Sequence, residues 1–214
     1  MLFAVDIDNT IARDIKNAAL RAYVMRTLDM PTDEQELRAW LQVPENKARL
    51  EQARKTSETI PEVMEAVQPV PGALDGVRQL ARLGTVVYVT CRVPELHELT
   101  IDWLTRYGFP SPENARLCAR YSEKYLHAYR MAVPDEPILL IDDRAEEVVR
   151  SFQTIARTEP ATAINLISRL SVVAFHPKEA RWHMTPPPFP VLILKSWDQE
   201  TLARFLDVAL PART

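Results

Sequence analysis

Short apolar runs alternate along this chain with stretches whose apolar residues recur at helical spacing. Residues 2–6 (Leu-Phe-Ala-Val-Asp) are apolar up to a terminal acid, which predicts a short buried strand. From Asp14 the pattern turns helical, with Leu20, Tyr23, Val24 and Leu28 on one face. Met30-Pro31-Thr32-Asp33 breaks that helix, and Thr32 or Asp33 is placed to cap the next one. Residues 33–42 and 45–57 read as two polar helices, and Pro61 as the start of a short fourth. Residues 58–72 carry Pro61, Pro69 and Pro71 and end in Pro71-Gly72, a return linker.

The rhythm then changes. Leu74, Val77, Leu80 and Ala81 mark an amphipathic helix that ends at Gly84, and residues 85–90 (Thr-Val-Val-Tyr-Val-Thr) are β-branched and aromatic, a buried strand. Leu96, Leu99, Trp103 and Tyr107 give a helix stopped by Gly108, followed by a strand at 115–119 and a helix at 123–132. Residues 138–141 (Ile-Leu-Leu-Ile) run straight into Asp142-Asp143. Helices are expected at 145–157 and 160–170, strands at 171–175 and 190–194, and a closing helix through Leu202, Phe205, Leu206 and Ala209.

Alternating strands and helices predict an α/β fold with a parallel sheet between helices. Residues 13–68 break the alternation, being helical only. They are expected to form an inserted helical domain, with 1–12 and 69–214 as the core.

Composition narrows the picture. The 214 residues suffice for one full core and a small accessory domain. A hydrophobic content of 47% with 26% charged residues is a globular balance. The net charge of −3 demands no strongly basic face, so affinity for duplex nucleic acid by charge alone is not expected. Two distant cysteines, Cys91 and Cys118, give neither a disulfide framework nor a zinc spacing. No signal peptide and no membrane span is read, and the expected setting is cytoplasmic. The biased run from Thr185 to Pro190 reads as a stiff connector before a strand.

Four places carry candidate chemistry. Asp6-Ile7-Asp8-Asn9-Thr10 follows the first strand, and ligands of open parallel sheets bind beyond the carboxyl ends of strands. One carboxylate can attack there while the other handles protons; the plainer alternative is a pair of acids capping loop amides. Asp142-Asp143 also ends an apolar strand. If the two strands are neighbours, up to four carboxylates meet, and two unit charges 4 Å apart repel by about 4 kcal/mol at an effective dielectric of 20. Such a cluster takes up a cation or protons, and oxygen donors with room for water and phosphate suit Mg²⁺. Thr90-Cys91-Arg92 closes the strand at 85–90, where a hydroxyl and free amides can hold phosphate oxygens. Lys124, at a helix start, can reach a phosphate as a point charge.

Together these pieces resemble the haloacid dehalogenase-like superfamily, with its Rossmann-like core. The DxDxT motif is matched by Asp6, Asp8 and Thr10, the strand-end Thr or Ser by Thr90, the basic residue by Lys124, and the acid pair by Asp142 and Asp143. The resemblance implies a Mg²⁺-dependent phosphomonoester hydrolase with a helical cap. It makes Asp6 the nucleophile that forms an aspartyl-phosphate, and Asp8 the group that protonates the leaving oxygen and later activates water. Thr10, Thr90, Cys91, Arg92 and Lys124 hold phosphate on this reading. Asp6, the backbone carbonyl of Asp8, Asp142 and Asp143 form the metal site. Arg116 and Arg120 remain alternatives to Lys124, which lacks the following proline of the family pattern; Asn9 stands where a glycine is common, and the block 145–170 is long.

The implied substrate is a small phosphorylated molecule, a nucleotide first and a sugar or metabolite phosphate second. Glu123-Lys124-Tyr125 and Lys195-Ser196-Trp197 look like elements of the deoxyribonucleotidase branch. Val89-Thr90-Cys91-Arg92-Val93-Pro94 looks like a run found in polynucleotide phosphatase domains, so a nucleic-acid end is a less favoured substrate. A phosphomutase or a non-catalytic phosphate-binding module on the same fold are the alternatives.

Other residues read more plainly. Cys91 lacks the arginine-closed loop of a thiol phosphatase and reads as a small packed residue. His97, His127, His176 and His183 show no metal spacing. Trp40, Trp103, Trp182 and Trp197 read as core or domain-contact residues, and Arg13, Arg21, Tyr23 and Arg26 as candidate substrate contacts from the inserted helices.

Overall fold

A computed structural model describes residues 1–13, 18–57, 60–176 and 186–209. Trp182, His183, Thr185 and the start of the helix expected from Asp14 lie outside them. The chain divides into two compact units, one of Met1–Ala12 with Pro69–Thr214 and one of Arg13–Gln68.

In the larger unit, six strands among the described residues pair in parallel: β1 (Leu2–Val5), β2 (Thr85–Thr90), β3 (Ala115–Leu117), β4 (Ile138–Asp142), β5 (Leu170–Phe175) and β6 (Val191–Leu194). Their spatial order is β3-β2-β1-β4-β5-β6. Strand order therefore reverses at β1, and the crevice beyond the carboxyl ends of β1 and β4 is the place where such sheets bind ligands. Every residue of β1 and β4 is buried, as expected for strands covered on both faces.

Alternate residues along the strands serve opposite faces. Leu2, Ala4, Val87, Val89, Leu140 and Val172 pack with Tyr125 and Ala128 of α7 (Tyr121–Met131) and with Val148 and Phe152 of α8 (Ala145–Thr158). α5 (Ala73–Leu83) contacts β2, α6 (His97–Tyr107) contacts β3, and α10 (Gln199–Ala209) contacts β6. α6 stops where Gly108 turns left-handed at φ 73°, a conformation that costs glycine nothing. α9 (Pro160–Ile167) is shorter than the predicted 160–170, because Leu170 already pairs with Ile138 as the first residue of β5.

The smaller unit holds α1 (Ala18–Thr27), α2 (Glu34–Gln42), α3 (Pro44–Ser57) and α4 (Pro61–Glu65). Of the two possible caps for α2 it is Asp33 whose carboxylate accepts from the amides of Gln35 and Glu36. Its core is small: Val24, Leu28 and Ala53, with Tyr23, Met30, Trp40 and Leu50 packed against them. No helix among the described residues is long and apolar enough to cross a membrane.

Candidate active site

The site begins with a turn. After β1 the chain folds back so that the amides of Ile11 and Ala12 donate to the Ile7 carbonyl and the amide of Asn9 donates to that of Ala12. The turn requires φ +63° at Asn9, which asparagine accepts more readily than most residues, so the absent glycine is no obstacle. Asp6, Asp8 and Thr10 leave this turn beside the end of β4, to which β1 is joined by the amide of Asp6 donating to the Ile141 carbonyl at 2.9 Å.

Lys124, on the first turn of α7 and 1% exposed, donates to Asp6 Oδ1 at 2.7 Å and to Asp142 Oδ2 at 2.6 Å. The Thr10 hydroxyl donates to the other Asp6 oxygen at 3.1 Å and accepts the amide of Asp143 at 3.1 Å. The second oxygen of Asp142 accepts the Arg144 amide at 2.8 Å. Trp197, buried after β6, donates from Nε1 to the Thr10 carbonyl at 2.7 Å.

Asp8 belongs to a second cluster. Arg92 donates from Nη2 to Asp8 Oδ1 at 2.7 Å and from Nε to Oδ2 at 3.0 Å, a two-pronged contact. The Thr90 hydroxyl donates to the same Oδ2 at 3.3 Å. The remaining guanidinium nitrogen, Nη1, reaches the Thr100 hydroxyl at 3.1 Å.

These contacts set the two aspartates apart electrostatically. Burial pushes the Asp6 carboxyl up to about 8; the Lys124 ammonium works against this, and the Asp142 charge adds to it. Burial would raise Asp8 as well, but the Arg92 charge and its hydrogen bonds outweigh that and hold Asp8 below the ordinary carboxylate value. Burial would lower Lys124, whereas Asp6 and Asp142 keep it well above the usual lysine value. Burial, followed by the Asp142 charge, pushes Asp143 up to about 6.

Asp6, Asp142 and Asp143 each bring one carboxylate oxygen to within 4.8 Å of the others. With all three ionised, the carboxylates would leave two negative charges beyond the single Lys124 ammonium. An all-oxygen set of that charge fits a hard divalent cation.

Arg116 and Arg120 stand apart from this cluster. Arg116 donates to the carbonyls of Glu113 and Ala115, and Arg120 is exposed. Cys91 is exposed and Cys118 buried. His176 binds the Lys195 carbonyl through Nδ1 at 3.0 Å. Trp103 and Trp197 are buried, and Trp40 is partly so. In the helical unit, Arg13, Arg21 and Arg26 are exposed and Tyr23 is half-buried.

Solved structures share the fold. A Burkholderia xenovorans LB400 protein named as a haloacid dehalogenase-like hydrolase covers 98% of this chain and 98% of its own, with a TM-score of 0.54 and 16% identity. A Geobacter sulfurreducens PCA hydrolase of the same superfamily, subfamily IA, variant 1, covers 97% of this chain and 95% of its own, at TM-score 0.56 and 14% identity. The fold is that of the haloacid dehalogenase-like hydrolases. A Haemophilus somnus 129PT protein named as a predicted phosphoglycolate phosphatase has it too, at TM-score 0.55 and 12% identity over 98% of this chain and 97% of its own. No family model matches the sequence, and no curated protein matches it significantly.

Within this haloacid dehalogenase-like fold, the motif residues read from the sequence fall into the two clusters. Asp6, Thr10, Lys124, Asp142 and Asp143 form one; Asp8, Thr90 and Arg92 form the other. Thr100 and Trp197 complete them but carried no sequence signal for such a role. Thr100 is an ordinary helix position, and the Trp197 side chain meets Thr10 from 187 residues away.

Proposed function

We propose that this chain is a Mg²⁺-dependent phosphomonoester hydrolase that works through an aspartyl-phosphate on Asp6. The reading rests on one observation above all. Asp6 and Asp8, two residues apart, are held by different cations, Asp6 by Lys124 and Asp8 by Arg92. A phosphate-binding module needs amides and positive groups; it has no use for two carboxylates kept in separate electrostatic settings.

Asp6 attacks phosphorus, and the bond to the leaving oxygen breaks as the Asp6–phosphorus bond forms. Lys124 balances charge on the attacking carboxylate and on the transferred group. Asp8, ionised beside Arg92 before substrate arrives, takes up a proton from the bound phosphate monoester or solvent, passes it to the leaving oxygen and, in the second half, takes one from the water that releases phosphate. Thr90 steadies Asp8 from the end of β2 and is proposed to turn its hydroxyl to the phosphoryl group, along with the amide of Cys91. Asp6, the Asp8 carbonyl, Asp142 and Asp143 would hold Mg²⁺, which when bound neutralises phosphate oxygens and favours ionised Asp6.

The substrate class we favour is a nucleotide or similarly small phosphorylated metabolite. The helical unit 13–68 is proposed to choose among leaving groups, because the chain departs for it right after the Asp6–Thr10 turn and returns at Pro69.

A screen over nucleotides, sugar phosphates and 3′-phosphorylated oligonucleotides, with Mg²⁺ and with chelator, tests the proposal. Turnover should require Mg²⁺ and vanish in Asp6→Asn. In Asp8→Asn a good leaving group should still phosphorylate Asp6, and the phosphoenzyme should then persist. Equal activity of wild type and Asp6→Asn would overturn the mechanism, and phosphate binding without any turnover would favour a binding module.

A further inference from the structure

Asp8 has a carboxylate that must face two ways in one reaction cycle, and what holds its side chain reaches well beyond the phosphate site. Arg92 is 9% exposed and grips both Asp8 oxygens. A guanidinium on a long side chain is a poor reference point unless its far side is fixed as well. Here the far side is fixed: Nη1 donates to the hydroxyl of Thr100, on the first turn of α6 and fully buried. That hydroxyl donates in turn to the Leu96 carbonyl at 2.7 Å, which orients its lone pairs toward Arg92. Near its backbone, Arg92 is pinned again by its own amide donating to Thr90 Oγ1 at 3.4 Å. A buried relay thus runs from the Leu96 carbonyl through Thr100 and Arg92 to Asp8.

We infer that Thr100 is a positioning residue for the phosphatase reaction, fixing Asp8 through Arg92 for the step in which water attacks the phosphoenzyme. This rests on the phosphomonoesterase reading above. The reason is geometric. In the first half, a good leaving group departs without much help from Asp8. In the second half the nucleophile is always water, and its proton must be taken by a carboxylate held within hydrogen-bond reach and correctly aimed. Small displacements of such a group lower rates by up to about 100-fold. Thr100 touches neither phosphate nor Asp8, so any effect it has on that step passes through Arg92.

The test uses the full-length protein with Mg²⁺ and p-nitrophenyl phosphate, comparing wild type, Thr100→Val, Thr100→Ser and Arg92→Lys. Thr100→Val keeps the shape and removes the hydroxyl; Thr100→Ser keeps the hydroxyl. Rapid-quench measurement of phosphoenzyme decay should show about a 10-fold slowing in Thr100→Val, with Thr100→Ser close to wild type. kcat and KM should fall together, leaving kcat/KM within about 3-fold, because kcat/KM reports only the steps up to aspartyl-phosphate formation. Arg92→Lys retains the charge but loses the two-pronged grip, and should slow decay at least as much as Thr100→Val. If Thr100→Val fails to fold, the decay rate of Thr100→Cys, which puts a weak thiol donor in place of the hydroxyl, decides the question in its place. Unchanged decay, or a fall in kcat/KM as large as that in kcat, would overturn the positioning role while leaving the phosphatase reading intact. A wild type that forms no phosphoenzyme from any substrate would remove both.

Discussion

The amide of Asp143 donates to the Thr10 hydroxyl at 3.1 Å, and so ties the loop after β4 to the turn after β1. The same hydroxyl donates to Asp6 Oδ2, so one threonine links the two halves of the acid cluster. Thr10→Val removes both hydrogen bonds at constant shape and strands a backbone N–H. The expected cost is about 1–3 kcal/mol. At about 2–4 °C per kcal/mol for a chain of this size, thermal denaturation of the variant should start several degrees lower. Its Mg²⁺ requirement, followed by the metal-dependent rise in melting temperature, should shift to higher concentration.

Lys124 is the only cation that touches Asp6 or Asp142 among the described residues. Removing one partner of a buried ion pair costs about 3–5 kcal/mol, because the other charge stays behind unpaired. Lys124→Met should therefore be inactive and markedly less stable in chelator, and saturating Mg²⁺ should recover part of the lost stability but none of the activity. Urea denaturation with and without metal measures both effects. A variant as stable as wild type in chelator would show that the acids are satisfied by something other than Lys124.

Metal removal makes a separate prediction. Carboxylates that, once all ionised, outnumber the Lys124 charge should bind Mg²⁺ more tightly when phosphate is present, since phosphate supplies a further ligand. Isothermal titration with Mg²⁺, with and without inorganic phosphate, should show this. Asp143→Asn removes one of the three clustered carboxylates and should weaken binding in both arms.

Gly76 lies in the middle of α5 against the Trp197 ring, and a Cβ there would meet Cε3 at 2.4 Å. Glycine to alanine inside a helix normally adds up to about 1 kcal/mol of stability. Here the sign should reverse. Trp197 cannot retreat without loosening its hydrogen bond to the Thr10 carbonyl, and overpacking costs about 1–3 kcal/mol. Gly76→Ala should thus lower both the melting temperature and phosphatase turnover, although it lies outside both polar clusters.

The thiols supply the pH test. The protein around Cys91 desolvates its thiolate, and the pKa is pushed up to about 11; burial pushes Cys118 up to about 12. Both groups are neutral at pH 7 and gain reactivity only as pH rises. Iodoacetamide labelling followed by peptide mass spectrometry should give a Cys91 rate that climbs about tenfold per pH unit through pH 9. A plateau near pH 7 would mark a thiolate nucleophile and reopen the cysteine mechanism.

Most strands and helices could be read from the sequence because their signals are local. A period of two, a period near 3.6 and an acid at the end of an apolar run each depend on a handful of neighbouring residues. Ile138–Ile141, followed by Asp142 and Asp143, carried that information whatever the rest of the chain did, and so did the turn residues Asp6, Asp8 and Thr10. Such signals could not say which strands lie side by side, and the pairing of β1 with β4 is what brings Asp6 to Asp142. Nor could they choose among Lys124, Arg116 and Arg120. The tertiary structure sets Lys124 against Asp6 across 118 residues of chain and turns Arg116 toward nearby carbonyls. Arg92 was legible as a charge near phosphate, but its grip on Asp8, 84 residues away, was not. The roles of Thr100 and Trp197 were hidden for the same reason. A side-chain hydrogen bond between distant segments follows from how the sheet orders its strands, and leaves no periodic trace in either segment alone.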